Sequence, residues 1–378
     1  MSACFLKVLN SSLTAGWLVL AVVLLRSVLK KAPKGMRCML WGLVALRLLL
    51  PFTVESRLSL LPSAEPIRTE SAADLRAASV PYERIVLCSG FDAVDEAVNP
   101  IMAQTAKDLA DAGTGSALSV TTAAWAWVAG VAAMLLYAAV SFRCMKRKVR
   151  ASIETERNVF VCDDVLSPFI LGMIRPKIYL PSGLDEQSRD HVLAHERAHI
   201  QRLDHIWKPL GFLLLSIHWF NPLIWVAFVL LSRDIEFACD EKVVSQLDVE
   251  GKAAYSHTLL AFSRPQGAIP LCPVAFGEVG VKERVKSVLC YQRPALWVVL
   301  TTLIAGVAVA ICFLTTPKQI RTAQAREQIP ASAPALQLPK KLTAGSAEKE
   351  APPEEERQIA PVPVYLTLCV NQQCDVAE

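Results

Sequence analysis

Three stretches of this chain each carry about twenty mostly apolar residues in a row, and nothing else in it restricts the fold so strongly. They run roughly from Leu9 to Leu29, from Thr121 to Phe142 and from Ala295 to Leu314. A helix rises 1.5 Å per residue, so each is long enough to cross the hydrocarbon core of a bilayer. A fourth stretch, Cys38 to Val54, is shorter and holds Arg47. A buried arginine is costly in lipid, so it should snorkel or pair inside a helix bundle. Composition agrees, with 53% apolar and only 20% charged residues. That excess has to enter a large core or lipid, and its clustering favours lipid.

Basic residues set the expected topology. One cluster, Arg26, Lys30, Lys31, Lys34 and Arg37, follows the first stretch, the reverse of the order in a signal peptide. A second, Arg143, Lys146, Arg147, Lys148 and Arg150, follows the third. Basic clusters collect on the cytoplasmic side. Four spans put both there; three would not. The expected organisation is two transmembrane helices with a short cytoplasmic loop in 1–54, an extracytoplasmic loop in 55–120 and a third span in 121–142. A cytoplasmic domain in 143–294, a fourth span in 295–315 and an extracytoplasmic tail in 316–378 complete it. A helix is expected around Asn99 to Ala112. The tail is rich in Pro, Ala, Glu and Lys and buries too little apolar surface to order itself, save for a short strand in PVPVYLTLCV.

The formal charge of +4 comes without an arginine-rich, aromatic-interleaved surface, which argues against nucleic acid as a partner. Among the eleven cysteines, Cys4, Cys38, Cys144, Cys290 and Cys312 sit in apolar segments and read as small buried hydrophobes. Cys369 and Cys374 have a spacing that closes a small disulfide loop in an oxidising compartment.

The chemistry lies in the cytoplasmic segment. Leu184 to Trp207 reads as one helix, with Asp185 as N-cap and Val192, Leu193, Ile200 and Leu203 at helical spacing. Within it, His195-Glu196-Arg197-Ala198-His199 matches H-E-x-x-H. Histidines four apart share a helical face, so both imidazoles can reach one zinc ion. Glu196 then lies beside the open coordination position, where it can take a proton from a water that the metal acidifies. Two residues compete as third ligand. His205 gives the spacing of the longer three-histidine motif, but Arg202 stands where that motif turns on glycine, and arginine resists positive φ. Glu236 lies in RDIEFACDEKVV, a second helix, with Asp240 on the same face to accept the free N–H of a ligand histidine.

Between these helices, Pro209 to Leu231 is apolar enough to be a span, yet Asn221-Pro222 breaks it into halves too short to cross singly. A helical hairpin that dips into the membrane, or a buried core pair, is expected, with His218 as a satisfied core histidine. Upstream, Ser167 to Leu184 reads as two short strands around a turn at Arg175-Pro176. Such a strand could pair with an extended substrate backbone or be purely structural.

At this point the residues match a known family. LRLLLPFTVES, SPFILGMIRPKIYLP, LAHERAHIQRLDHIWK, HWFNPLIW, EFACDEKV and VKERVKSVL together resemble the BlaR/MecR-type membrane metallopeptidases, sensor-transducers of β-lactam resistance. The resemblance implies a multi-pass α-helical protein of the cell membrane with an inserted α+β, gluzincin-like zinc peptidase domain facing the cytoplasm. It implies His195, His199 and Glu236 as Zn2+ ligands, Glu196 as base and Asp240 as supporting carboxylate. His257 and Arg284 are candidate oxyanion stabilisers. The antibiotic sensors carry a penicillin-binding domain after the last span, and the tail here matches no such domain, so β-lactam sensing is not expected. What remains is a regulatory peptidase that cuts a cytoplasmic protein, a repressor or itself. A quality-control protease and a non-enzymatic receptor built on a zinc fold are the alternatives.

Overall fold

The computed structural model describes residues 2–50, 54–56, 66–71, 83–88, 94–101, 104, 120–262 and 280–317. The expected tail beyond Pro317, its terminal strand, the Cys369–Cys374 loop and most of the expected Asn99–Ala112 helix fall outside those residues. In chain order the elements begin with α1 (Ser2–Val28) and α2 (Lys34–Leu49). The short strands β1 (Val54–Ser56), β2 (Ile67–Ser71) and β3 (Glu83–Leu87) follow. Then come α3 (Val120–Lys148) and β4 (Ile153–Glu156), β5 (Val159–Cys162), β6 (Phe169–Leu171) and β7 (Lys177–Pro181). Helices α4 (Glu186–Gln201), α5 (Asp204–Ile217), α6 (Pro222–Val244), α7 (Val249–Ala261) and α8 (Val281–Leu289) lead to α9 (Leu296–Leu314) and β8 (Thr315–Pro317).

Among the described residues, three helices are long and apolar enough to cross a membrane: α1, α3 and α9. Helix α2 has 16 residues and stops short of the expected Val54. Pro51 follows Leu50, and a residue before proline is driven out of the helical region, as the extended Leu50 (φ −94, ψ 110) shows. Arg47 turns inward, with Nη2 3.4 Å from Thr14 Oγ1. The cysteines correct one expectation. Cys4 and Cys290 are exposed, Cys38, Cys144 and Cys312 are half-buried, and among the described residues Cys162 and Cys239 are the buried ones. An apolar segment that faces lipid need not bury each of its residues in protein.

The main core joins Leu18, Val19 and Val22 of α1 with Leu40, Trp41 and Val44 of α2 and with Phe212, Leu215, Ile224, Ala227 and Phe228 of α5 and α6. The α5–α6 pair is therefore a hairpin packed among the long helices. Asn221 caps α6 by accepting from Leu223 N (2.9 Å), and its Nδ2 donates to Ser12 O and Oγ at 3.0 and 2.9 Å. Trp127 of α3 donates to Ile217 O at the hairpin tip (2.8 Å). A Cβ on Gly130 would lie 2.3 Å from the Trp219 ring, so only glycine allows this approach. His218 is buried, but its Nδ1 has no hydrogen-bond partner among the described residues, unlike the satisfied core histidine expected.

The sheet has the order β4-β5-β7-β6, with β5 and β7 parallel and both edge strands antiparallel to their neighbours. The β6–β7 hairpin is the expected one; β4 has a single apolar residue in IETE and β5 is the short unbroken apolar run VFVC, so neither shows an alternating strand pattern. Successive residues of a strand face opposite ways. Val159, Ile178 and Leu180 pack on Val192 and Leu193 of α4. Phe160, Cys162 and Tyr179 pack on Val149, just beyond α3.

Two contacts gather one end of the long helices. Strand β1, after α2, pairs in parallel with β8, after α9. Asn10 of α1 exchanges two hydrogen bonds with the backbone of Ile67 in β2, at 2.9 and 3.0 Å. At the other end, Arg26 binds Asp234, and the backbone N–H of Lys34 donates to Glu241 at 2.6 Å. The basic loop between α1 and α2 thus lies at the same end as the lower part of α6.

Candidate metal centre

Helix α4 starts where expected: Asp185 accepts from Ser188 N at 3.0 Å. Its buried face carries His195 and His199 one turn apart, each under 10% exposed. Their Nε2 atoms are 3.2 Å apart. Helix α6 brings Glu236 to them, with Oε2 3.5 Å from His195 Nε2 and Oε1 3.6 Å from His199 Nε2. These three residues form a group able to hold a metal ion. A tetrahedral ion with bonds of 2.0–2.1 Å separates its donor atoms by about 3.3 Å. The triangle has that size.

The ring nitrogens facing away explain the orientation. His199 Nδ1 is 2.9 Å from Asp204 Oδ2. His195 Nδ1 lies 2.9 Å from the Tyr255 hydroxyl and 3.3 Å from Asp240 Oδ1. A proton on each Nδ1, donated outward, leaves two Nε2 lone pairs aimed at each other. A cation placed between them would satisfy both lone pairs. Burial alone would lower the pKa of His195, yet the carboxylates of Asp240 and Glu236 raise it to about 9. The pocket favours positive charge at this point, and two imidazoles with one carboxylate suit zinc.

The supporting residues come from four elements. Asp240 accepts from Arg284 Nε and Nη2 of α8 (2.8 and 2.7 Å) and from the Tyr255 hydroxyl of α7 (2.7 Å). Burial would raise the Asp240 pKa, but Arg284 and His195 hold it well below the usual carboxylate range. Lys208 of α5 donates to Glu236 Oε1 at 2.9 Å. Glu236 likewise stays low, because Lys208 and His199 outweigh its burial. The Cys239 thiol lies 3.3 Å from Asp204 Oδ2 and 3.2 Å from His199 Nδ1.

One element differs from the reading of the sequence. The helix expected from Leu184 to Trp207 breaks at Leu203, which adopts left-handed backbone (φ 61, ψ 27). The chain does double back, one residue after Arg202 and without glycine. The turn delivers Asp204, not His205, to His199. His205 is outside the ligand group, and its Nδ1 has no hydrogen-bond partner among the described residues. Arg284 is brought to the site, with Nη1 3.4 Å from Glu236 Oε2 and Nη2 3.4 Å from His195 Nε2. His257 is not; it is exposed on α7, two residues beyond the buried Tyr255. Glu196 is buried on α4 next to His195, and among the described residues no hydrogen bond or ion pair engages its carboxylate.

The chain is 27% identical over 193 residues to the regulatory protein BlaR1 of Bacillus licheniformis, covering 44% of this chain and 32% of the relative. It is 27% identical over 101 residues to the methicillin resistance mecR1 protein of Staphylococcus aureus, covering 26% of this chain and 17% of that protein. The chain thus spans about a third or less of the length of these relatives. A family profile, BlaR1 peptidase M56, matches residues 6–288, which include every residue of the site described above. With the metal-binding geometry and the apolar helices in place, the chain belongs to the BlaR1 peptidase M56 family of membrane metallopeptidases.

Proposed function

We propose that this chain is a zinc-dependent endopeptidase of the cell membrane that acts on proteins at the cytoplasmic face. The observation that carries the chemistry is the triangle of His195, His199 and Glu236 donor atoms, with the unengaged carboxylate of Glu196 one residue along α4. When bound, the metal polarises a carbonyl and lowers the pKa of water. Glu196 takes the proton of the attacking water and passes it to the leaving amine. Arg284, within 3.4 Å of two ligand atoms, suits negative charge developing on the carbonyl oxygen. Asp240 and Asp204 hold the two imidazoles in the ligating tautomer.

The cytoplasmic placement rests on charge. The Arg26–Arg37 cluster lies at the end of the helices where Asp234, Glu236 and Glu241 are found, and basic loops stay inside. Strands β1 and β8 then lie outside together, as four crossings require, with α2 as the short fourth crossing. The names of the relatives, a regulatory protein and a methicillin resistance protein, support a regulatory role. The substrate in this reading is a repressor or a copy of the chain itself.

The test is Glu196→Gln. The amide is nearly isosteric and leaves the ligands in place, but it cannot accept the proton. Zinc content should be unchanged, while cleavage falls by about 10²–10⁴. Undiminished cleavage would remove Glu196 from the mechanism.

A further inference from the structure

Two arginines of α2 are buried, and their settings differ. Arg37 is 7% exposed and donates to the carbonyl oxygens of Leu29 and Lys30. It sits at the end of α2 where Asp234 and Glu241 bring negative charge. Arg47 is 6% exposed and sits at the other end. Its Nη2 reaches Thr14 Oγ1 only at 3.4 Å, and its Nε has no hydrogen-bond partner. Among the described residues no carboxylate pairs with it.

The polar side chains of α1 at this level are uncharged and engaged elsewhere. The Thr14 hydroxyl is bonded to the carbonyl oxygens of Asn10 and Ser11, both at 3.0 Å, and the Ser12 hydroxyl accepts from Asn221. None of them offsets a positive charge. A guanidinium removed from water without a counter-charge is strongly disfavoured, and in a membrane helix it marks a site that something else completes.

Place, surface and chemistry together define what completes it. Asn10 is bonded to Ile67 of β2, and Thr14 follows four residues later, about 6 Å along the axis. Arg47 stands two residues before the end of α2, beyond which the chain enters β1. It thus lies about one helical turn inside the end of the bundle where β1, β2 and β8 gather. In the topology proposed above, that is the headgroup level of the outer leaflet. Leu46, Leu49 and Leu50 beside it are exposed, an apolar surface suited to acyl chains. A guanidinium presents a fork of N–H donors that matches two oxygens of a phosphate.

We infer that Arg47 holds the phosphate of an anionic phospholipid, whose acyl chains lie along Leu46, Leu49 and Leu50. The lipid supplies the charge that the protein withholds, and it fastens the end of α2 just before the chain leaves for β1.

The test does not involve peptidase activity. The full chain is purified in neutral detergent and freed of phospholipid. It is then titrated with phosphatidylglycerol, with diacylglycerol of the same acyl chains, or with inorganic phosphate. Native mass spectrometry counts bound molecules, and thermal unfolding reports stabilisation. Phosphatidylglycerol should raise the unfolding temperature, and the chain should retain one molecule more of it than Arg47→Met does. Diacylglycerol and inorganic phosphate should do neither at the same concentration. The affinity of Arg47→Met for phosphatidylglycerol should fall by about 100-fold, the worth of two charge-assisted hydrogen bonds. Arg47→Lys keeps the charge but not the fork, and should lose about ten-fold. Without lipid, Arg47→Met should unfold at the same temperature as the unmodified chain or higher, because an unmatched buried charge has given way to an apolar group. Undiminished phosphatidylglycerol binding by either variant overturns the site. Lower stability of lipid-free Arg47→Met, or its failure to fold, also overturns it, since the protein itself would then satisfy Arg47. Equal stabilisation by inorganic phosphate overturns the lipid as the source of the anion, and equal stabilisation by diacylglycerol overturns the phosphate as the group recognised.

Discussion

Both halves of α6 pack apolar residues, but only the second adds buried charge. From Pro222 to Leu231 the helix carries no charge, and Ile224, Ala227 and Phe228 pack into the apolar core with α1, α2 and α5. From Ser232 to Val244 it carries Asp234, Glu236, Asp240 and Glu241, of which Asp234 is wholly buried. Asp234 accepts from Arg26 Nε and Nη2 at 2.8–3.0 Å and from Trp41 Nε1 at 2.9 Å. Apolar packing is non-directional and tolerates small rotations about the helix axis. Charged hydrogen bonds fix direction. The first half places α6 in the bundle; the second sets the angle at which Glu236 and Asp240 meet α4.

The sharpest way to break this contrast is Asp234→Ala. It leaves the Arg26 charge and the Trp41 N–H without their partner at a site of full burial. Breaking such a pair from one side costs about 3–5 kcal/mol. Denaturant unfolding in detergent measures it. A loss under about 1 kcal/mol would mean that the apolar half alone positions the helix.

Glu236→Ala tests the polar half at its centre. Removing a ligand should weaken zinc by more than about 100-fold, the upper range for a residue that merely supports a ligand. His205→Ala should leave zinc nearly intact, because the turn at Leu203 carries Asp204 to the site instead. Zinc occupancy at fixed free zinc decides. Full occupancy in Glu236→Ala with loss in His205→Ala would restore the three-histidine site.

The same contrast explains what the sequence made legible. Apolar runs showed α1, α3 and α9, and the Asn221-Pro222 break showed the hairpin, because hydropathy and proline act locally. His195, Glu196 and His199 were readable because a helix fixes their spacing, as were Glu236 and Asp240. The Arg26–Asp234 clasp was hidden, since it spans 208 residues of sequence. Tyr255 and Lys208 were hidden for a similar reason; each belongs to a helix whose approach no local pattern encodes. Asp204 was hidden by a turn that uses Leu203 in place of glycine, so the usual marker was missing. Arg284 was suspected, but its partner Asp240 was not foreseen. His257 was suspected without support from spacing and lies elsewhere.

Asp204→Ala and Asp240→Ala should each weaken zinc by about 10–100-fold, since each removes the carboxylate that orients one imidazole. Zinc titration of both variants separates the two arms of the site. Asp240→Ala should be the worse, because it also leaves Arg284 without its two-toothed partner. Equal zinc affinity in Asp204→Ala and the unmodified chain would make Asp204 a structural bystander at the helix turn.

The smallest effect belongs to the apolar half, and it sharpens the division most. Asn221 is the main polar anchor at the N-terminal end of α6. Its side chain caps the helix through Leu223 N and ties it to Ser12 through Nδ2. Losing an N-cap costs about 1 kcal/mol, and a typical hydrogen bond about 0.5–1.5 kcal/mol. Asn221→Ala should therefore lower unfolding free energy in detergent by about 2 kcal/mol, less than Asp234→Ala. Its zinc affinity should not change. The anchor sits at Pro222, the start of α6, while Glu236 lies 14 residues on, about 21 Å along the axis, beyond the Asp234 clasp that sets its angle. Zinc titration of Asn221→Ala tests that insulation. A loss of ten-fold or more would mean that the N-terminal end of α6 also sets the angle of Glu236, and the two halves would then act as one rigid lever.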